Sequence, residues 1–368
     1  MNTFPPQAQA STQSSTQEQQ LHHGFSFTGQ AGEFFRIWIV NVCLTIVTLG
    51  IYSAWAKVRT NQYFYGHTSV AGSSFEYTAK PMTILKGRLL AMFCIVIYVA
   101  TTSVWPLTSP VFMLLFFGLL PWLISRSLKF RARNTRYRNI RFNFDGQYWD
   151  AFINFVLLPG LSLFTLGILY PFAVYLQQRW LVKHSSFGQT KFTSELESGP
   201  IYKAYSLAFL MVLGGIILIA IVAAAVAYYG DSGTETLKND LSNGPDLREM
   251  AAVFSGLLML PIYYFAFVYI RSRVTNATLN HCLLEQHRLH SQLRARSLFW
   301  IYLSNTLAIL FSIGLLIPWA RIRIARYRAQ CTQLITCGDM NSFTQSQLSE
   351  QDAIGEEMSD IMDVEFGL

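Results

Sequence analysis

A segment that occurs three times limits what this chain can fold into. The first copy, FRIWIVNVCLTIVTLGIYSAWAKVRTNQY, runs from Phe35 to Tyr63, and the others run from Tyr148 to Trp180 and from Phe299 to Tyr327. Each sets an Asn in an apolar run (Asn41, Asn154, Asn305), then a Gly (Gly50, Gly167, Gly314), then Trp55, Phe172 or Trp319 followed by Ala. Tyr63, Trp180 and Tyr327 come next, and after them His67, His184 and Cys331, each followed by Thr or Ser. An apolar run broken by Gly at the same place three times reads as an interrupted helix. Composition names its solvent: 52% of residues are hydrophobic and 13% charged, about half the charge of a soluble domain. The medium is lipid.

Uncharged runs at 89–125, 151–178, 204–230, 250–270 and 297–320 approach or exceed the roughly 20 residues that a spanning helix needs. Backbone groups in hydrocarbon must be bonded within the segment, so these runs are helices, and they lack the alternation of a barrel strand. Lys and Arg flank both ends of the second and third copies. By the positive-inside rule both flanks are cytoplasmic, which a simple span does not allow. The expected fold is therefore an all-α polytopic membrane protein: three internal repeats of broken, re-entrant helices, two transmembrane helical hairpins, and small β elements at the cytoplasmic surface. Four true spans are expected at 84–105, 107–125, 204–229 and 251–270, with seven spans as the alternative. Short alternating stretches at Phe25 to Gly29, Phe75 to Tyr77, Ile140 to Phe144 and around Phe192 read as strands.

The domain reading runs in chain order: a disordered polar tail at 1–24, repeat 1 at 25–83, a transmembrane hairpin at 84–125, and a basic cytoplasmic connection with repeat 2 at 126–203. A second hairpin follows at 204–270, its acidic loop 230–250 periplasmic, then a basic connection with repeat 3 at 271–338 and an acidic disordered tail at 339–368. The net charge of +7 sits beside apolar runs rather than in one soluble domain, so it reads as topology and not as a nucleic-acid surface. Five cysteines, two of them in apolar runs, read as reduced thiols.

The candidate pore or helix-contact residues are Asn41, Asn154, Asn305, Gly50, Gly167 and Gly314. An amide in an apolar helix either bonds a neighbouring helix or marks a substrate path. A broken helix either kinks for packing or frees backbone groups for an ion or head group. Trp55, Lys57, Arg59, Trp319, Arg321 and Arg323 are candidate lipid-interface residues, since Trp settles at head-group depth and cations reach phosphates. His67, His184 and Cys331 occupy equivalent positions in the three copies, and His281, Cys282, His287 and His290 form the only local cluster of such residues. Helix capping is the simpler reading than a metal site, which shows paired ligands close in sequence. No catalytic residue, cofactor or metal is assigned.

The stretches TLGIYSAWAKVRTNQYFYGHT at Thr48 to Thr68 and RARSLFWIYLSNTLAILFSIGLLIPWARIRIARYRAQ at Arg294 to Gln330 resemble the YjgN-like family, bacterial inner-membrane proteins defined as a domain of unknown function. The resemblance covers about Phe25 to Gln330, with the second copy departing at Val174 and Tyr175. It implies a multi-pass protein of the bacterial inner (cytoplasmic) membrane and carries over no activity. The expected function is non-enzymatic: a transport or channel role for a small solute or lipid, or alternatively a structural or adaptor protein that binds anionic lipid or a protein partner. Membrane lipids are the expected partners.

Overall fold

A computed structural model describes residues 20–233, 247–337 and 344–347. Its helices form consecutive antiparallel pairs, each pair starting and ending in a short strand. The first pair is α1 (Ala31–Val47) and α2 (Ser53–Gly66), preceded by β1 (Gln20–Gly24) and β2 (Ser26–Phe27) and followed by β3 (Thr68–Val70) and β4 (Ser73–Tyr77). The second is α3 (Pro81–Val104) and α4 (Ser109–Arg133), followed by β5 (Thr135–Tyr137) and β6 (Ile140–Phe144). In the third, α5 (Tyr148–Phe152) passes through a π-helical turn, Ile153–Leu157, into α6 (Leu158–Phe164), and α7 (Tyr170–Lys183) returns. Next come β7 (Ser185–Phe187), β8 (Thr190–Lys191) and β9 (Thr193–Ser194). The fourth pair is α8 (Ser198–Gly233) and α9 (Leu247–Asn280), with β10 (Cys282–Leu284) and β11 (His287–Ser291). The last is α10 (Ala295–Phe311) and α11 (Ile317–Gln330), with β12 (Thr332–Cys337).

The all-α expectation is corrected: the fold is mixed α/β, with four long apolar helices and two sheets. The candidate spans are Pro81–Val104, Pro106–Arg133, Ser198–Ala225 and Gly256–Asn280. Residues 126–133, expected in a connection, are the last turns of α4, and residues 20–24, expected in the polar tail, are β1. Residues 1–19, most of the acidic loop and all of the acidic tail but Thr344–Gln347 lie outside the described residues.

Both sheets are antiparallel, ordered β1-β12-β11-β10-β9 and β2-β3-β4-β5-β6-β7-β8. They are joined at two corners. Phe25 still donates its N–H to Thr332 of β12 (3.1 Å), and from Ser26 the chain pairs with β3 instead. Phe192 donates to Ser185 of β7 (3.0 Å), and from Thr193 the chain pairs with β10. With each corner counted as one continuous strand, the ladder closes on itself. Closure leaves no sheet edge to pair with another chain.

Alternate strand residues point into this closed barrel, as a period of two requires. Val70, Tyr137, Ile140 and Phe187 form its buried core, with Phe75, Phe142 and Phe192 packed against them. Ring centroids lie 4.9 Å apart for Phe75 and Tyr137 and 5.0 Å for Phe142 and Phe187, within the range of favourable aromatic pairs. The Tyr137 hydroxyl donates to the Val70 carbonyl at 2.8 Å. What space remains is a cavity of about 160 Å³, lined by apolar and aromatic side chains with His287 and Cys282. Burial pushes the Cys282 thiol up to about 11, so it is a packing residue and not a nucleophile. Outside the barrel the helical turn at 344–347 covers the β7–β8 turn, where Gln347 Oε1 accepts the Gln189 N–H at 3.0 Å. Gly188 turns there with φ +60°, and a Cβ on it would fall 2.6 Å from that same oxygen.

The helices form a ring above the barrel. Substantial packing runs between chain neighbours, and α11 packs back on α1. No side chain of α3 is buried, so its inward face is open as well as its outward one. Base contacts fix the first and last pairs. The Tyr63 hydroxyl accepts the N–H of Gln30, the residue before α1, at 2.8 Å and donates to its carbonyl at 3.0 Å. Tyr327 does the same to Arg294 before α10, at 3.0 and 3.2 Å.

Burial of His287, 4% exposed in the barrel, lowers its pKa, opposed by the nearby Glu285 carboxylate. The folded state therefore binds this proton less readily than the unfolded chain, whose His titrates near pH ~6.5. Its contribution is intact above that pH and is lost as pH falls. Thermal unfolding in detergent from pH 8 to 5 should show the midpoint of His287→Leu rising relative to the unsubstituted protein as pH drops. A constant difference would contradict a buried neutral imidazole.

Candidate functional site

The tips of the three short pairs share one construction. Leu49, Leu166 and Ile313 take positive φ (49°, 50° and 51°) and are followed by Gly50, Gly167 and Gly314 at 92°, 84° and 89°. Two successive left-handed residues end one helix and reverse the chain, and Gly takes the second place because it lacks a Cβ. Each Gly N–H reaches back to a carbonyl five residues earlier: Thr45 at 2.7 Å, Ser162 at 2.8 Å and Ile309 at 2.8 Å. The hydroxyls of Thr48, Thr165 and Ser312 then accept the N–H groups of Tyr52, Leu169 and Leu316, at 2.9, 3.2 and 3.0 Å. Each tip thus bonds polar backbone groups within itself while its side chains stay bare: Leu49, Leu166 and Ile313 are each 94% exposed.

The three asparagines are buried, at 4%, 8% and 3% exposure, but the fold does not bring them to one point. Asn41 and Asn305 lie in neighbouring pairs that meet through α11, and Asn154 sits in the third pair, on the far side of the ring. Their surroundings differ too. The Asn305 amide donates to the Ala320 carbonyl at 3.2 Å, and its oxygen accepts from Arg323 at 3.4 Å. At Asn154 the π-helical turn leaves the main-chain carbonyl to accept from Gln177 at 2.8 Å. Asn41 has neither side-chain atom hydrogen-bonded. It lines a groove of about 500 Å³ between α1, α2 and α11.

The candidate interface residues lie in the first two turns of α2 and α11. Trp55 stacks on Tyr52 with centroids 6.1 Å apart, and Arg59 donates to the Tyr52 hydroxyl at 3.2 Å. Arg323 lies 5.2 Å over the Trp319 ring, a cation–π distance. Lys57 and Arg321, both exposed, face the Asn41 groove from different helix pairs. Arg88 of α3 donates to Ser53 beside them. No carboxylate lines the groove, and neither Lys57 nor Arg321 is among the ion pairs of the described residues.

The histidines cap helices. His67, His184 and His281 turn Nδ1 to the carbonyls of Tyr63, Trp180 and Ala277, at 2.8, 3.0 and 2.8 Å. Asn134 ends α4 in the same way, donating to Phe130 at 2.7 Å. The following Thr68, Thr135, Ser185 and Thr332 add hydroxyl bonds four residues back. His281 and Asn134 belong to this set and were not grouped with it in sequence. The signal was present as His, Asn or Cys followed by Thr, Ser or Cys at the end of the returning helix of each pair.

The family model described as "Bacterial protein of unknown function (DUF898)" matches residues 22–361. The chain is 25% identical to the Inner membrane protein YjgN of Escherichia coli (strain K12), over 89% of this chain and 92% of that protein. To the protein of the same name from Salmonella typhimurium it is 26% identical, over 87% and 90%. No solved structure matches. These likenesses and the four long apolar helices support a multi-pass location in the inner membrane.

The two bonded and unbonded asparagines should respond oppositely. Asn305→Leu removes a partner from Ala320 and Arg323 and should lower stability by about 1 kcal/mol, whereas Asn41→Leu, which breaks no side-chain bond, should not. Parallel thermal melts followed by Trp fluorescence decide this, and equal losses would contradict the assigned bonding.

Proposed function

The chain belongs to the bacterial family of unknown function DUF898, and from its geometry we propose that it is a lipid-handling transport protein of the inner membrane, without enzymatic activity. The carrying observation is the unequal ring: three short pairs end in bare apolar tips, while two long hairpins go on. An α1 of 17 residues is about 25 Å long and an α2 of 14 about 21 Å. Helices of that size, part of whose length stands between barrel and bilayer, reach into the membrane without crossing it. Tips whose backbone is bonded internally suit hydrocarbon, where an unpaired N–H or C=O is costly. We read the three pairs as re-entrant repeats that enter and leave on one face. Arg126, Lys129, Arg131, Arg133, Arg136, Arg138 and Arg141 mark that face as cytoplasmic by the positive-inside rule, with the barrel just below the inner leaflet.

The interior of the ring favours lipid over a hydrated solute. Beyond Arg88 in α3, and from Ala204 to Ala225 in α8, these helices carry no charged residue on any side, so the space they enclose suits acyl chains and not water. Along the axis the barrel is filled by aromatic side chains, without the polar lining that an aqueous pore uses. Above the short pairs the outer half of the bilayer faces the ring without protein between. A lipid can enter sideways there.

Reconstituting the full chain in vesicles with a head-group-labelled phospholipid and quenching from outside tests the proposal. The expected result is transbilayer exchange at least about ten-fold faster than in protein-free vesicles, about 1.4 kcal/mol off the barrier. Unchanged exchange would sink the transport reading. Ion or sugar leakage in its place would point to a channel, and lipid binding without exchange to an adaptor.

A further inference from the structure

We propose that the groove between α1, α2 and α11 binds the phosphate-bearing head group of an anionic lipid; this deepens the lipid reading above and shares its membrane placement. Asn41 is 4% exposed, faces the groove, and has neither amide atom hydrogen-bonded. A buried amide left unsatisfied costs the desolvation of both its polar ends unless a ligand restores the bonds. Its counterpart Asn305 shows the satisfied state, held by Ala320 and Arg323. In the first pair Arg59, which stands where Arg323 stands in the last, turns to Tyr52 instead. Asn41 is left buried in the groove wall without a side-chain partner.

The rest of the lining has the chemistry of an anion site. Lys57 and Arg321 approach from two helix pairs, no carboxylate opposes them, and Thr45, Thr60 and Asn61 add polar groups. Both cations stand one turn into their helices, below bare apolar tips and level with Trp55 and Trp319. That is the depth at which head-group phosphates meet cations and Trp. The groove holds room for such a group, about 500 Å³, and Trp38, Val42 and Ile46 continue it along α1 with apolar surface for the glycerol and first methylenes. A phosphodiester gives acceptors to Lys57, Arg321 and the Asn41 N–H, and a hydroxylated head group gives the donor that the Asn41 oxygen lacks. A free phosphate ion shares the first part of this recognition but makes no use of the apolar wall.

Native mass spectrometry of the detergent-purified full chain with phosphatidylglycerol, phosphatidylcholine and inorganic phosphate reads these terms separately. Phosphatidylglycerol should be retained over phosphatidylcholine. Retention should fall about ten-fold or more in Lys57→Gln/Arg321→Gln, whose changes are at exposed positions, and about five-fold in Asn41→Leu at an unaltered melting temperature. Wild-type retention in both variants would overturn the site. Displacement of the lipid by inorganic phosphate alone would overturn the head-group assignment and leave a free-anion site. Lipid bound as expected without exchange in vesicles would defeat the transport reading and keep this one. Exchange at full rate in the double variant would do the reverse.

Discussion

The structure depends on the backbone closure at Phe25 and Phe192. At each corner one strand gives its hydrogen bonds first to one sheet and then to the other, so two open sheets become a ring without edges. The first corner also ties residues near the start of the chain to β12, some three hundred residues later. Because every helix pair leaves from and returns to this ring, the bases of the pairs lie at one rim and the described tips point away from it. The paradox of basic residues at both flanks of an apolar segment then disappears. A pair anchored at both ends to one barrel has both ends on one side.

What varies above the barrel is reach. Two pairs carry helices of 24 to 36 residues, and the other three stop at tips that bond their own backbone. The same φ pattern and the same hydroxyl cap occur at all three tips, although the third pair reaches its tip through a π-helical turn. The helical run before the tip has the same length in all three pairs, Ala31–Val47, Tyr148–Phe164 and Ala295–Phe311, so the longer spacing from Asn154 to Gly167 sets Asn154 about one turn nearer the barrel than Asn41 and Asn305, at the π-helical turn. The cost falls on one main-chain carbonyl, which Gln177 takes up.

The long apolar runs were legible in sequence because lipid imposes a length and a composition, and the glycine breaks because left-handed backbone favours Gly. Individual strands at Ile140–Phe144 and Ser73–Tyr77 were legible from alternation. Their closure was not, since strands of two to six residues carry too few side chains to specify partners. The trace was there in apolar pairs five residues apart across each turn, Val70 with Phe75, Tyr137 with Phe142, Phe187 with Phe192 and Leu284 with Leu289, which place one inward side chain on each strand. The different fates of Asn41 and Asn305 were beyond sequence reading. They turn on whether the arginine of the returning helix, Arg323 or Arg59, reaches the amide or a tyrosine, a tertiary choice between equivalent positions.

Side-chain accessibility in intact cells tests the proposed arrangement most directly. With the native cysteines replaced, single cysteines placed at Lys183, Lys191 and Arg296 on the barrel side, and at Leu107 in the α3–α4 turn, are probed with a membrane-impermeant thiol reagent. Labelling of Leu107→Cys alone is predicted, with the others reacting only after the membrane is opened. Labelling of Lys183→Cys or Arg296→Cys from outside would contradict it.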